Sequence, residues 1–106
     1  MHYLLFYEKA PDYEAREASF TAAHRAHVFA AVARGELILG GPLTNPVDGA
    51  NVLLFRASTP DVPTAFAQAD PYVQGGIVSR WHVRPWQTVV GAAAEFPVAH
   101  NSVDAK

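Results

Sequence analysis

Two histidines three residues apart, His24 and His27, are the side chains whose type and spacing best suit proton chemistry in this chain. They fall in an apolar stripe whose positions repeat every three or four residues, which places them on one helical face: Phe20, Ala23, His24, His27 and Ala31. An imidazole titrates near neutrality, and packing against a sheet makes its pKa sensitive to its surroundings. His27 is therefore predicted to be either the acid–base group of a pocket or a hydrogen-bonded histidine of the core.

A carboxylate beside such a histidine would fix its tautomer and favour the imidazolium form. Asp70 is the best candidate, because it stands at the end of a second predicted helix, just before Pro71 and Tyr72. An aspartate before a proline also commonly opens a turn. The residues alone leave both interpretations of Asp70 open.

Histidines at positions i and i+3 also suit a shared metal ion. A third ligand would have to come from His82, Glu36 or Asp70. The pair lacks the context of an HExxH-type zinc motif. We therefore predict neither a metal nor another cofactor.

The segment Gly40, Gly41, Pro42 stands at the end of a predicted strand, where the lack of side chains on the glycines lets a neighbouring group approach the backbone closely. It either exposes N–H groups to an anionic ligand or simply ends the strand. It is not a phosphate-binding loop, since neither a GxGxxG pattern nor a following Lys-Ser/Thr pair is present. We expect Gly41, Pro42 and Tyr72 to shape a pocket around the histidine.

Length and composition restrict the class of protein. The chain has 106 residues, a net charge of −2 and no cysteine, which fits one globular domain and excludes disulfides and thiolate chemistry. No basic patch indicates nucleic acid, and no apolar run approaches the roughly 20 residues of a membrane helix. We expect a cytoplasmic protein with no nucleic-acid or membrane partner.

The predicted elements follow the order βαββαβ, with strands at 2–8, 36–43, 51–57 and 77–83 and helices at 14–34 and 61–69. Right-handed crossovers then give an α+β, ferredoxin-like fold, a four-stranded antiparallel sheet with both helices on one face. The first and third strands are apolar on both faces, so the open face predicts a homodimer. Residues 1–88 form this domain, and 89–106 are expected to be an arm against the partner subunit or a flexible tail.

Several segments together resemble the YciI-like (YCII-related) family over roughly residues 2–87. They are YLLFY (3–7), HRAHV (24–28), GELILGGPL (35–43), DPYVQGG (70–76) and VRPW (83–86). The resemblance implies a dimeric α+β barrel and a His–Asp dyad. It assigns the family's histidine to His27 and its aspartate to Asp70, and it puts His24 in a position that the family commonly gives to arginine.

The resemblance also extends to a dehydrochlorinase, and the fold is similar to that of muconolactone isomerase. It therefore implies elimination or isomerisation on a small, ring-derived organic acid, with His27 as general base or acid, Asp70 assisting and His24 beside them in the substrate pocket. A non-catalytic ligand-binding or accessory module stays open, as does a haem- or oxygen-dependent enzyme like the antibiotic monooxygenases of this architecture. His27 lies well along its helix, at ~1.5 Å per residue, so its direct contact with Asp70 also stays open.

Overall fold

Four strands and four short helices follow one another along residues 1–99, the part of the chain that the computed structural model describes. In chain order they are β1 (His2–Lys9), α1 (Tyr13–Arg16), a 3₁₀ turn (Glu17–Ser19), α2 (Thr21–Ala33), β2 (Leu37–Pro42), β3 (Ala50–Arg56), α3 (Asp61–Ala69), α4 (Pro71–Gln74) and β4 (Val78–Trp86). No helix within this range is long and apolar enough to cross a membrane.

The strands form one antiparallel sheet in the order β2-β3-β1-β4. This confirms the predicted ferredoxin-like α+β fold. The central strand β1 buries alternate side chains toward the helices, as the period of two requires: Tyr3, Leu5 and Tyr7. The core between sheet and helices is completed by Ala31, Leu37, Leu53, Phe55, Phe66, Ala67, Tyr72, Ile77 and Val78.

The helix predicted over residues 14–34 is divided, with α2 beginning only at Thr21. The backbone leaves the helical path at Phe20 (φ −116°, ψ −7°). The Phe20 ring reaches the turn after α4, where a Cβ on Gly75 would lie only 2.5 Å from it. Arg16 strengthens the same junction by donating to the carbonyl oxygens of Gly75 and Gly76. The division therefore anchors the start of α2 beside α4.

The second predicted helix, α3, ends at Ala69 as expected, but residues 71–74 form a further short helix that the sequence did not predict. Asp70 is extended (φ −69°, ψ 124°) and begins a separate short helix, α4, whose first residue is Pro71. Proline is well tolerated there because the N–H that it lacks would have no helical partner. The change of direction brings Asp70 beneath the sheet's helical face, where it is fully buried.

The other face of the sheet carries apolar side chains of the two central strands, and the His82 ring stacks on Phe6 at 4.7 Å between centroids. The register places Phe6 next to Val52 on β3, and Leu4 next to Leu54. The predicted homodimer through this face stays a prediction.

The C-terminal segment 87–99 contains no strand and folds back toward the N-terminus of the same chain. Its Glu95 Oε1 lies 2.9 Å from the Met1 nitrogen as an ion pair, and Thr88 Oγ1 lies 2.9 Å from His2 Nδ1. As far as residue 99, this segment therefore lies against its own domain, and its contact with a partner subunit stays a prediction. The predicted tail from Asn101 lies outside the described residues.

Candidate active site

The buried carboxylate of Asp70 is the centre of a hydrogen-bonded cluster. Its Oδ1 accepts from the Tyr72 N–H at 2.9 Å and lies 2.8 Å from His24 Nδ1. Its Oδ2 accepts from the Tyr7 hydroxyl at 2.7 Å. The contact with the Tyr72 N–H is the N-cap of α4. Asp70 therefore fulfils both interpretations of the sequence, capping a turn and orienting a histidine.

The cluster fixes the protonation of its acidic members. Burial raises the pKa of Asp70, but the hydrogen bonds from His24, Tyr7 and the Tyr72 N–H, together with the charge of His24, lower this pKa by more, so that it falls below its ordinary value. Burial, followed by the charge of Asp70 and the hydrogen bond to it, raises the pKa of Tyr7 far above its ordinary value. Asp70 is therefore a carboxylate at neutral pH, and Tyr7 remains a phenol that donates to it.

His24 is held in one orientation by two contacts. Its Nδ1 meets Asp70, and its ring stacks almost parallel on the Tyr72 ring, 3.8 Å between centroids and 3° between planes. Because an ionised carboxylate only accepts hydrogen bonds, the neutral imidazole carries its proton on Nδ1 and its lone pair on Nε2. No residue in the range 1–99 hydrogen-bonds Nε2. This arrangement suits a general base.

His27 lies one turn further along α2 and meets a different element. Its Nε2 lies 2.8 Å from the Phe66 carbonyl oxygen, and its ring stacks on the Phe66 ring at 4.3 Å. A carbonyl only accepts, so this nitrogen carries the proton. The predicted pairing of His27 with Asp70 is thus replaced by the pairing of His24 with Asp70. The physical reason is the position along α2: His24 in the first turn lies beside Asp70 and α4, whereas His27, one turn further on, lies against Phe66 of α3.

The family's arginine position was counted as three residues before the dyad histidine, so it changes when that histidine is His24 and not His27. If the dyad histidine is the one that contacts Asp70, the residue three positions earlier is Thr21. Thr21 Oγ1 donates to the Glu17 carbonyl at 2.9 Å and lies 3.2 Å from the Tyr72 hydroxyl. It is a neutral residue that supports the ring on which His24 stacks.

A cleft of about 380 Å³ opens beside His24, between α2 and the β2–β3 edge of the sheet. Its walls are mostly apolar, and its polar groups gather at one end. The lining consists of Tyr7, Lys9, His24, Val28, Phe29, Val32, Leu37, Leu39, Gly40, Gly41, Pro42, Asn51, Leu53 and Tyr72. The four residues predicted to shape the pocket, His24, Gly41, Pro42 and Tyr72, are all among them. His27 lines a different, more open depression between α2 and α3.

His24 and His27 are not arranged to bind one metal ion together, because each ring is hydrogen-bonded to a different partner. Within the described part of the chain, no group of three His, Cys, Asp or Glu side chains could hold a metal ion.

Tyr7 is the member of the cluster that the sequence analysis missed. It lies on the buried face of β1, where a tyrosine is expected to be part of the core. The alternation along β1 does place Tyr7 toward the helices, but only the tertiary structure brings its hydroxyl to Asp70.

Comparison with known proteins agrees with this fold. Residues 1–87 match the YCII-related domain. Comparison with curated proteins gave no significant match.

Three solved structures illustrate the similarity of the fold. The 5-chloro-2-hydroxyhydroquinone dehydrochlorinase (TftG) of Burkholderia phenoliruptrix AC1100, in complex with 2,5-dihydroxybenzoquinone, has a TM-score of 0.67 and 22% identity, covering 83% of this chain and 95% of that one. Protein Atu4242 of Agrobacterium tumefaciens has a TM-score of 0.57 and 12% identity, covering 89% of this chain and 99% of the other. Rv0793 of Mycobacterium tuberculosis has a TM-score of 0.52 and 16% identity, covering 87% and 97% respectively.

Proposed function

Since the chain belongs to the YCII-related domain family, we propose that it is a small-molecule enzyme that moves a proton beside a carbonyl group of a ring-derived organic acid. The outcome of that transfer is elimination or isomerisation. The observation that carries the proposal is the 2.8 Å contact of His24 Nδ1 with Asp70, which leaves Nε2 as the basic nitrogen beside the cleft.

In the proposed step, the Nε2 lone pair takes a proton from the carbon next to the carbonyl. The electron pair of the broken C–H bond forms a double bond to the carbonyl carbon, and the carbonyl oxygen gains the negative charge. Asp70 stabilises the imidazolium that results, because an opposite charge within hydrogen-bond distance favours the charged form.

Two outcomes follow from that enolate. In elimination, its electrons return through the ring and expel a leaving group, such as chloride, with the bonding pair. In isomerisation, the His24 imidazolium gives the proton back to a different carbon. Both outcomes need one proton carrier and no redox partner.

The shape of the cleft supports a flat ring as the substrate. Aliphatic side chains form its walls, and the polar groups lie at one end, which is the usual pattern of a small-molecule site. The dehydrochlorinase of the same fold acts on a chlorinated hydroxyhydroquinone and was solved with a dihydroxyquinone. We propose substrates of this ring size for the present chain.

Two assays test the proposal. The first measures elimination as chloride release, without oxygen, from 5-chloro-2-hydroxyhydroquinone, whose keto tautomer carries a C–H next to a carbonyl and chloride on the following carbon. The second measures proton removal as deuterium uptake beside the carbonyl of 4-oxocyclohexanecarboxylate in D₂O, followed by NMR. His24→Gln retains a donor for Asp70 but lacks the base, so we expect it to lose about 10²–10⁴-fold in rate.

His27→Gln is the matched control, since its amide can still donate to the Phe66 carbonyl; we expect a rate close to that of the native protein. Equal rates for the native protein and His24→Gln, or no reaction in either assay, would contradict the proposal. Tight binding of such rings without turnover would instead favour a ligand-binding module.

A further inference from the structure

Lys9 lies at the polar end of the cleft. It is the last residue of β1, two positions after Tyr7, so both side chains point to the helical side of the sheet. The β1–β4 register shifts between Glu8 and Lys9 because Ser79 is an extra residue on β4, so the alternation along β1 itself continues to Lys9. Both Tyr7 and Lys9 line the cleft.

The backbone of the β2–β3 loop holds Lys9 in place. Its N–H donates to the Gly49 carbonyl at 3.1 Å. Gly49 has a φ of +85°, and a Cβ there would lie 3.2 Å from the Lys9 Cβ and 3.4 Å from the Tyr13 ring. A glycine at this position therefore allows the loop to pack closely against the base of the lysine side chain.

The ammonium group is enclosed by one carboxylate and two aromatic rings. Lys9 Nζ donates to Glu17 Oε2 at 3.1 Å, and it lies 4.9 Å from the Tyr13 ring centroid and 5.6 Å from that of Tyr72. The Lys9 side chain is only 15% exposed. An ammonium has three N–H donors, and Glu17 is the acceptor that the described residues supply for one of them.

Among the residues that line the cleft, Lys9 is the only lysine or arginine. The Tyr72 ring connects Lys9 with His24. It stacks on the His24 ring, and its centroid lies 5.6 Å from Lys9 Nζ. A ring substrate whose C–H faces His24 would have its oxygen atoms at the same polar end of the cleft.

We infer that Lys9 binds the anionic oxygen of the substrate and stabilises the negative charge that develops there during proton removal. The inference rests on the proposed function and adds the substrate class, a ring that carries an acidic oxygen. A fixed cation in a site with little water stabilises such a developing charge strongly. Glu17 then orients the ammonium group, and its hydrogen bond leaves the other N–H donors for the substrate.

Binding of two quinones to the folded protein tests this assignment without any turnover. In 2,5-dihydroxybenzoquinone the hydroxyl protons are acidic, because the negative charge is shared with the ring carbonyls. The analogue 2,5-dimethoxybenzoquinone has the same ring and no acidic proton. We expect the native protein to prefer the dihydroxy compound, and Lys9→Met to lose about tenfold of that affinity, as for one charge-assisted hydrogen bond.

The variants separate a direct contact from other effects. Lys9→Arg should restore most of the preference, and Arg80→Met, which removes the same charge from a residue 79% exposed on β4, should leave it unchanged. Weaker binding of both quinones in Lys9→Met would overturn the assignment, since it would indicate a structural role. An equal affinity of the native protein for the two quinones, or no binding of either, would overturn it as well.

His24→Gln distinguishes this inference from the proposed reaction. The preference for the anionic quinone should persist in that variant, because Lys9 and Glu17 are unchanged. A protein that shows the Lys9-dependent preference and no His24-dependent turnover would retain the binding assignment and lose the proposed reaction.

Discussion

His24 and Asp70, 46 positions apart in the sequence, meet at 2.8 Å through Nδ1 and Oδ1. The aspartate is fully buried and the histidine side chain is 21% exposed. The pair therefore joins a carboxylate in the interior to a base that the cleft can reach. The predictions below follow from this pair and its surroundings.

Asp70→Asn should reduce turnover strongly while retaining the fold. The amide oxygen can still accept from the Tyr72 N–H, but the negative charge that stabilises the His24 imidazolium is lost. We expect the rate in either assay to fall about 10²–10⁴-fold, with far-UV circular dichroism unchanged. A rate within a few-fold of the native value would show that the carboxylate has no part in the reaction.

The stability of the native protein should depend on pH through Asp70. Its folded pKa lies below its ordinary value, so the folded state releases this proton more readily than the unfolded chain. The stabilisation is therefore complete above the unfolded pKa of about 3.9 and is lost as the pH falls through the lower folded pKa. Urea denaturation at several pH values should show a steeper acid-side loss for the native protein than for Asp70→Asn. Parallel curves would contradict this assignment.

Tyr7→Phe should cost about 1–3 kcal/mol of unfolding free energy, because one oxygen of the buried Asp70 carboxylate loses its donor. Tyr3→Phe is the matched control. Tyr3 lies on the same buried face of β1, and its hydroxyl makes no hydrogen bond within residues 1–99. Urea denaturation at neutral pH measures the unfolding free energy of the two variants. A similar loss in the two variants would mean that general packing, and not the contact with Asp70, sets the cost.

Gly40→Val should weaken binding of ring compounds. Gly40 lines the cleft and pairs with Leu53 of the core, so a side chain added there would lie on the helical side of the sheet. Its Cβ would lie 3.1 Å from Leu53 Cγ, and we expect such overpacking to cost about 1–3 kcal/mol of unfolding free energy. A titration should show weaker binding of 2,5-dihydroxybenzoquinone.

Gly75→Ala is the control for that experiment, because Gly75 does not line the cleft. Its Cβ would lie 2.5 Å from the Phe20 ring, and such overpacking typically costs about 1–3 kcal/mol. The affinity of this variant for the quinone should stay at the native value. Retained affinity in Gly40→Val would show that the ring binds elsewhere.

We also propose that a second copy of the chain covers the open face of the sheet. A charge on the central strand, Phe6→Lys, should then halve the mass measured by light scattering. Val47→Lys, at a loop residue 71% exposed, should leave that mass unchanged. A monomeric native protein, or a Phe6→Lys variant of native mass, would contradict the dimer.

The order of strands and helices could be predicted from the sequence, because alternation and helical periodicity are local patterns. The choice between His24 and His27 could not be made in that way. Both are on the inner side of α2, and which of them contacts Asp70 depends on how α2 packs against α4. That packing involves residues far apart in the sequence, such as Phe20 and Gly75, 55 positions apart. Tyr7 was missed for a similar reason, since a tyrosine in a buried strand gives no local sign of its partner.

The dual use of Asp70 affects how relatives of this chain should be read. An aspartate here begins α4 whether or not any reaction takes place, so a homologue without catalytic activity would still be under selection to keep it. Its presence in a homologue is therefore weak support for catalysis. His24 does not cap a helix, so selection for the fold alone does not retain it in this way. Replacement of this histidine in a homologue would therefore be the better indication that the homologue binds its ligand without turnover.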